Sequence, residues 1–488
     1  MSDRAGRAKP RSAEVAGSLL GHQTWRVDRA TRRWSVRRSL TPERLLVLSF
    51  AGLILLATVG FRVLPGLYVG EPLSWLDSLF TATSAVCVTG LIVVDTATHF
   101  TVFGQAYILL LIQLGGLGII TLTTAVILAL GRHLSLHHEA VTATTAEVAP
   151  EVDFRRLVRS VVQFTLAFEA VGAVVLFAVW LPRFDPGPAA WHALFQTVSA
   201  FCNAGFSTFS DSLAGFRASP LALGPIMALI VLGGLGFIAL EDVHVWWSRR
   251  RQGNRVRLSL HSRLVLTVTA LLLVGGWIGF ATLEWRNTLA GMPSWQRLMN
   301  ALFMSVTART AGFNTVDHAL AADSTNFVTI LLMSIGGSPG SAAGGLKTTT
   351  LAAIGLLAIA RLRGGAVVNA WGRTIPEDTI QRAIGLFAIG FTVVTGAILL
   401  YAVTQLQPRT GTSSLGFLHY MFEAVSAFNT VGLSMGATGA LDGFGKALTI
   451  LLMYLGRVGP LAIAAALSIQ SPAGGKGFRY GYEDVIIG

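Results

Sequence analysis

Long apolar runs and shorter half-apolar runs alternate regularly along this chain. Apolar stretches occupy about residues 44 to 64, 104 to 130, 157 to 181, 222 to 247, 263 to 283, 326 to 360, 382 to 404 and 446 to 469. A bilayer core of about 30 Å needs roughly 20 such residues in a helix, so each stretch reads as one membrane span. Between the members of each pair lies a shorter piece, such as WLDSLFTATSA or WHALFQTVSAF, bounded by Gly, Pro or Asp. These pieces are too short to span and read as re-entrant pore helices.

The four intervals end alike: SAVCVTGL at Leu91, SAFCNAGF at Phe206, TARTAGF at Phe313 and SAFNTVGL at Leu433. Their glycines, Gly90, Gly205, Gly312 and Gly432, are 115, 107 and 120 residues apart, room for two spans and a loop each. The pattern predicts an all-α membrane protein. Four repeats of outer helix, pore helix and inner helix, eight spanning helices in all, would surround a central pore with pseudo-four-fold symmetry. The expected segments are a cytoplasmic N-terminal tail (1–40), repeats at 41–131, 132–256, 257–365 and 366–470, and a cytoplasmic C-terminus (471–488).

Glycine at these places has a chemical reason. A cation stripped of water can be held by backbone carbonyl oxygens only where the backbone leaves helical geometry and turns those oxygens toward an axis. Glycine reaches the required dihedrals and lets chains approach closely. Irregular backbone at membrane depth is tolerated only where it is buried or lines a wet cavity. Four such segments therefore belong together.

Composition sharpens this picture: 52% of the 488 residues are hydrophobic and 13% charged, which excludes an ordinary soluble domain. The net charge of +12 could serve nucleic acid, but its distribution says otherwise. Arginines gather in the first forty residues, in RRRQGNRVRLSLHSR (Arg249 to Arg263) and between Arg361 and Arg382. With eight spans these regions share one side, which the positive-inside rule makes the cytoplasm. We read a solvated basic face and no nucleic-acid partner. No secretory signal is visible. Cys87 and Cys202 hold matching places three residues before a motif glycine, and are expected as packed thiols without a disulfide.

The repeats differ in ways that carry chemistry. The third is one residue shorter between Phe303 and Gly312 than the first is between Phe80 and Gly90. Arg309 stands where the cysteines stand, and is expected either to brace the motif from behind, with a carboxylate such as Glu423 as a candidate partner, or to be solvated at the outer rim. Aligning LGGLG (Leu114 to Gly118), LGGLG (Leu232 to Gly236), IGGSPG (Ile335 to Gly340) and LGRVG (Leu455 to Gly459) puts Arg457 opposite Gly116, Gly234 and Gly337. A charge near mid-span costs about 2.5 kcal/mol or more and so faces a wet interior. Arg457 is therefore expected below the glycines, repelling cations as part of a gate. The run GGSPGSAAGGLKTTT, 336–350, is a poor helix, because glycine costs about 1 and proline about 3 kcal/mol relative to alanine. The third inner helix is expected to break there, although Gly336, Gly340 and Gly344 also have the spacing of a helix contact.

On these motifs and the ending RYGYEDVIIG, the chain resembles the Trk/Ktr/HKT superfamily of potassium transporters, most of all the Ktr membrane (ion-translocating) subunit. The resemblance implies a selectivity filter made by Val88, Thr89, Gly90 and Leu91, by Asn203, Ala204, Gly205 and Phe206, by Thr310, Ala311, Gly312 and Phe313, and by Thr430, Val431, Gly432 and Leu433. Glycine in all four implies potassium as the transported ion. It further implies a gating loop containing Gly336, Gly337, Ser338, Pro339, Gly340, Ser341, Gly344, Gly345 and Lys347, acting with Arg457. Sodium coupling occurs among such relatives, and no residue here identifies a sodium site. The implied setting is a bacterial plasma (inner) membrane with surrounding lipid and both termini cytoplasmic. The implied assembly is a homodimer on a cytoplasmic nucleotide-binding regulatory ring. Its docking surface would be the loops Arg132 to Arg156, Arg249 to Arg263 and Arg361 to Arg382, with Tyr480 to Gly488.

No Walker motif or dinucleotide fingerprint occurs, so no organic cofactor is expected. Two other classes would need different features. A conventional secondary cation transporter would have inverted repeats and a midplane site. An intramembrane serine hydrolase would use Ser338 or Ser341 with Lys347 as base. Neither accounts for four repeats in one orientation.

Overall fold

The computed structural model describes residues 42–129, 154–253, 256–406 and 415–459. The expected N-terminal tail, most of the Arg132 to Arg156 loop, the far end of the fourth inner helix and the C-terminus lie outside these residues.

A long helix, a short helix, an irregular segment and further helix follow one another four times. The chain opens with α1 (Pro42–Val63), α2 (Trp75–Val86), α3 (Thr96–His99) and α4 (Val102–Ala129). Next come α5 (Phe154–Trp180), α6 (Pro186–Phe201), α7 (Pro220–Leu235) and α8 (Phe237–Arg251). α9 (Leu260–Leu283), α10 (Ser294–Thr307), α11 (Asp323–Met333) and α12 (Thr348–Leu362) form the third set. α13 (Glu377–Gln405), α14 (Phe417–Phe428), α15 (Ala437–Ala440) and α16 (Gly443–Val458) form the fourth. Each short helix packs on the long helix before it, and α16 returns to pack on α1 and α2.

Burial separates the two helix types. The apolar stretches Leu46–Val63, Arg159–Trp180, Leu260–Leu283 and Glu377–Gln405 are long enough to cross a membrane, yet no more than 33% of any is buried. Their outward leucines, valines and phenylalanines, among them Leu56, Val174, Leu271 and Phe391, form apolar surface that only lipid would cover favourably. The short helices are enclosed instead. Phe80, Phe195, Phe303 and Phe422 are fully buried, and every residue from each to the end of its helix is buried. The chain is thus a mostly helical, multi-pass membrane protein.

Local differences from the expected helices have backbone causes. The apolar stretch read as one span from 222 to 247 is two helices, α7 and α8, bent by 101°. Gly236 at the bend has φ +85°, and the next N–H, of Phe237, donates to the Gly340 carbonyl at 3.1 Å. The expected break in the third inner helix lies between α11 and α12. A short hairpin, β1 (Asn369–Ala370) with β2 (Arg373–Thr374), departs from helices alone. Trp371 and Gly372 turn it with φ +47° and +75°, the mirror-image turn that matches strand twist.

Candidate functional site

The four motif glycines meet. A methyl group added at Gly90 would lie 3.0 Å from the Gly205 Cα, at Gly205 2.9 Å from that of Gly312, at Gly312 3.3 Å from that of Gly432, and at Gly432 3.1 Å from that of Gly90. The contacts run head to tail and close on themselves. Each such methyl would also press on the carbonyl oxygen preceding the next glycine, those of Ala204, Ala311, Val431 and Thr89. Four backbone carbonyls and no side chain therefore lie beside the closest approach.

The backbone repeats a second feature that the sequence does not announce. Val88, Asn203, Thr310 and Thr430, two residues before each glycine, have φ of +55°, +58°, +65° and +50°. The glycines themselves have φ of +93°, +70°, +78° and +91°. Left-handed backbone costs a residue with a Cβ about 1–2 kcal/mol, and β-branched residues rarely accept it. Four equivalent sites holding it are strain kept in place by their surroundings. Only Asn203 is a residue type that hints at this conformation.

Hydroxyl groups on the short helices hold these segments. Ser84 donates to the Leu91 carbonyl and Ser199 to that of Phe206, both at 2.7 Å, and Thr307 to that of Phe313 at 2.5 Å. Ser84 and Ser426 also accept the N–H of Gly90 and Gly432, each at 3.1 Å. These four residues open the four motifs, and sequence reasoning gave them no role. Their offset was a usable signal: it is six residues before the glycine in three motifs and five in the shortened third.

Helix ends around the ring contribute negative partial charge, while Arg309, buried two residues beyond the end of α10, contributes a positive one. α2, α6, α10 and α14 each end four or five residues before a motif glycine and carry no basic residue in their last turns. A helix C-terminus presents the equivalent of roughly half a negative charge. Four such ends therefore lie beside the four carbonyls.

The segment between α11 and α12 packs against α7, α16 and the residues just before Gly432. Ser338 and Ala342 donate their N–H groups to Gly234 and Gly233 of α7 at 3.0 and 3.2 Å. Gly345 donates to Gly456 of α16 at 3.3 Å, and Leu346 to the Asn429 side chain at 3.3 Å. An added methyl at Gly344 would strike Thr430, and one at Gly345 would strike Asn429. Gly336 N–H donates to Leu346 at 2.7 Å and Thr348 N–H to Gly337 at 3.1 Å, pinning the two ends of the loop together. Pro339 and Gly340 abut Gly236 at the α7–α8 bend.

Arg457 is 3% exposed and lies across this loop. Its guanidinium donates to the Ala342 carbonyl and, at 2.9 Å, to that of Gly115 on α4. No described carboxylate pairs with it. Lys347 reaches back to the Ala343 carbonyl at 2.7 Å, while the Ser338 hydroxyl is 3.1 Å from that of Thr348. Of the groups that a hydrolase would pair, Ser338 and Lys347 have other partners. Ser341 is buried with its hydroxyl unbonded.

Two expectations about neighbouring residues fare differently. Cys87 and Cys202 are free, buried thiols, and Cys202 donates to Gln113 at 3.6 Å. Arg309 does not pair with Glu423. That carboxylate is satisfied by the hydroxyls of Ser434 at 2.8 Å and Thr438 at 2.5 Å, which lie just beyond the fourth motif and reach it first.

Comparison with known proteins identifies the family. Residues 55–476 match the family described as "TrkH: Cation transport protein". The chain is 37% identical to the Potassium/sodium uptake protein NtpJ of Enterococcus hirae, over 93% of this chain and 98% of the relative. It is also 37% identical to the Ktr system potassium uptake protein B of Vibrio alginolyticus, over 88% and 92% of the two chains, and 36% identical to that of Bacillus subtilis, over 86% and 92%. The crystal structure of the potassium transporter TrkH from Vibrio parahaemolyticus superposes with a TM-score of 0.69 over 90% of this chain and 87% of that one, at 18% identity. With that family spanning most of its length, the chain belongs to the TrkH cation transport proteins.

Proposed function

We propose that the chain conducts potassium into the cell through the ring of Gly90, Gly205, Gly312 and Gly432. The eight spans then form four repeats, with the boundaries given above, about a pseudo-four-fold axis through that ring. The observation that carries this reading is the closed cycle of glycine contacts, with a carbonyl and a helix C-terminus at each station. Such groups replace a cation's hydration shell. A membrane potential supplies about 2.3 kcal/mol per charge per 100 mV, enough for accumulation without a chemical step. Relatives named for potassium uptake, one of them for potassium and sodium, support the choice of ion.

Below the ring, the loop from Gly336 to Thr350 and Arg457 act as the gate. The loop is held by two backbone hydrogen bonds to α7, one from Phe237 of α8 and one to α16, and Arg457 adds a positive charge on the path. Opening breaks the Arg457 contact with Ala342 and swings the loop aside. Relatives are named as parts of a Ktr system, which supports partner subunits. We place the chain in a bacterial plasma membrane, as a homodimer docked through its arginine-rich loops on a nucleotide-binding cytoplasmic ring.

Uptake by a potassium-transport-deficient host tests both parts. Gly312→Ser puts a hydroxymethyl group against the Val431 carbonyl and the neighbouring glycines, and is expected to lower potassium-over-sodium preference about tenfold. Unchanged preference would remove Gly312 from the filter. Arg457→Ala is expected to raise uptake severalfold in cells lacking any regulator; unaltered or lower uptake at normal protein abundance would remove Arg457 from the gate.

A further inference from the structure

α8 leaves α7 at 101° and ends on Trp246, Trp247, Ser248 and three arginines, Arg249 to Arg251. Indole rings beside arginines mark a helix lying at the boundary between lipid and water. Between α8 and the outer helix α5 is an open cavity of about 430 Å³, lined by Phe164, Phe168, Leu240, Val243, Trp246 and Trp247, with His244 beside them. Two arginines sit at its edge. The Arg250 guanidinium is 5.1 Å from the centre of the Trp246 ring, and that of Arg251 is 3.8 Å from the centre of the Trp247 ring. A guanidinium stacked by its face keeps its N–H edge free for a phosphate, and both arginines are exposed.

The surroundings select the occupant. The α5 wall belongs to the apolar stretch Arg159–Trp180, only 28% buried, so the groove opens toward hydrocarbon. A peptide entering there would bring unpaired backbone groups into lipid, whereas an acyl chain brings none. The carboxylates on α8, Glu241 and Asp242, stand eight to ten residues before the two arginines, about 12–15 Å along the helix. Asp242 is buried and accepts the Ser259 N–H at 2.9 Å.

We propose that this groove binds an anionic phospholipid, with an acyl chain against Phe164, Phe168, Val243 and Trp247 and the phosphate on Arg250 and Arg251. The site is separate from the ion path and rests on the membrane placement of α5, not on the filter or the gate. Arg257 and Arg263 remain for the docking face.

Native mass spectrometry of the purified full chain tests this, after exchange into micelles holding equal phosphatidylglycerol and phosphatidylcholine. Phosphatidylglycerol is expected to be retained preferentially. Arg250→Gln with Arg251→Gln should weaken its binding about twenty-five-fold, from about a factor of five per arginine at a membrane surface. Val243→Trp, which fills the groove and leaves the arginines in place, should weaken it about tenfold. Arg361→Gln with Arg363→Gln, the same charge removed from the end of α12, should leave it unchanged. Equal retention of the two lipids, or undiminished phosphatidylglycerol in both groove variants, would overturn the proposal. So would glycerol phosphate binding as tightly as the whole lipid, or a second copy of the chain displaced by Val243→Trp. Gel filtration of each variant checks folding, and if the double arginine variant aggregates the tryptophan variant carries the test.

Discussion

A single methyl group separates two kinds of glycine in this chain. At Gly456 an added Cβ would run into the carbonyl oxygen of Phe428, the last residue of α14, and Gly115 and Gly233 stand the same way to Val86 and Phe201. These contacts seat α16, α4 and α7 against the ends of short helices. Gly456→Ala is therefore expected to cost about 1–3 kcal/mol through overpacking and to lower the Tm in detergent. Gly385, inside α13, meets nothing within 4 Å. Gly385→Ala is expected to hold or raise the Tm, because alanine is the better helix former by about 1 kcal/mol. Thermal melts of the two variants decide it, and equal shifts would show that the close approach carries no strain. The motif glycines were legible residue by residue, since four copies of one pattern announce them. The left-handed backbone at Val88, Thr310 and Thr430 was not, because β-branched residues favour extended chain and only packing holds them otherwise.

At the scale of elements, one carboxylate ties three pieces together outside the spans. Glu284 caps the C-terminus of α9 and accepts the Ala322 N–H at 2.9 Å and the Thr325 hydroxyl at 2.5 Å at the start of α11. It also accepts the Thr288 N–H and hydroxyl at 3.2 and 2.6 Å. Burial pushes its carboxyl up, but the hydrogen bonds from Thr288, Thr325 and the Ala322 N–H outweigh burial and hold it below the usual carboxylate range. A depressed folded pKa means stability that is present above the ordinary value of about 4.3 and is lost as pH falls through the folded value. Glu284→Gln is thus expected to lower the Tm near pH 7, with the gap to wild type closing as the medium is acidified below about pH 4. A gap independent of pH would assign the loss to packing alone. Elements also show where reading stops: LGGLG occurs twice, yet α4 runs on through Gly118 while α7 ends before Gly236. The difference comes from Pro339 and Gly340, which dock at Gly236 from a hundred residues away. The break between α11 and α12 was legible because its own glycines and proline disfavour a helix.

The fourth helix set closes on the first, with α16 packing on α1 and α2 and an ion pair adding to the contact. Lys446, in the first turn of α16, reaches Asp77, in the first turn of α2, at 2.6 Å. Both side chains are about a fifth exposed, so the pair is worth about 1 kcal/mol or less after screening. Asp77→Lys and Lys446→Asp are each expected to lower the Tm, and the double exchange to recover most of the loss. Additive losses in the double variant would deny the pair a part in closing the molecule.

Hydrophobic period and repeated motifs determined the membrane class, the four short helices, the glycine segments and the odd arginine, because each is a property of residues near one another in the chain. Tertiary structure alone decided that Gly90 meets both Gly205 and Gly432, that Arg457 reaches Ala342 and Gly115, and that Glu423 turns to Ser434 and Thr438 instead of Arg309. Those partners are fixed by which backbones close into a ring. Closure depends on packing among segments more than a hundred residues apart, which no local pattern encodes.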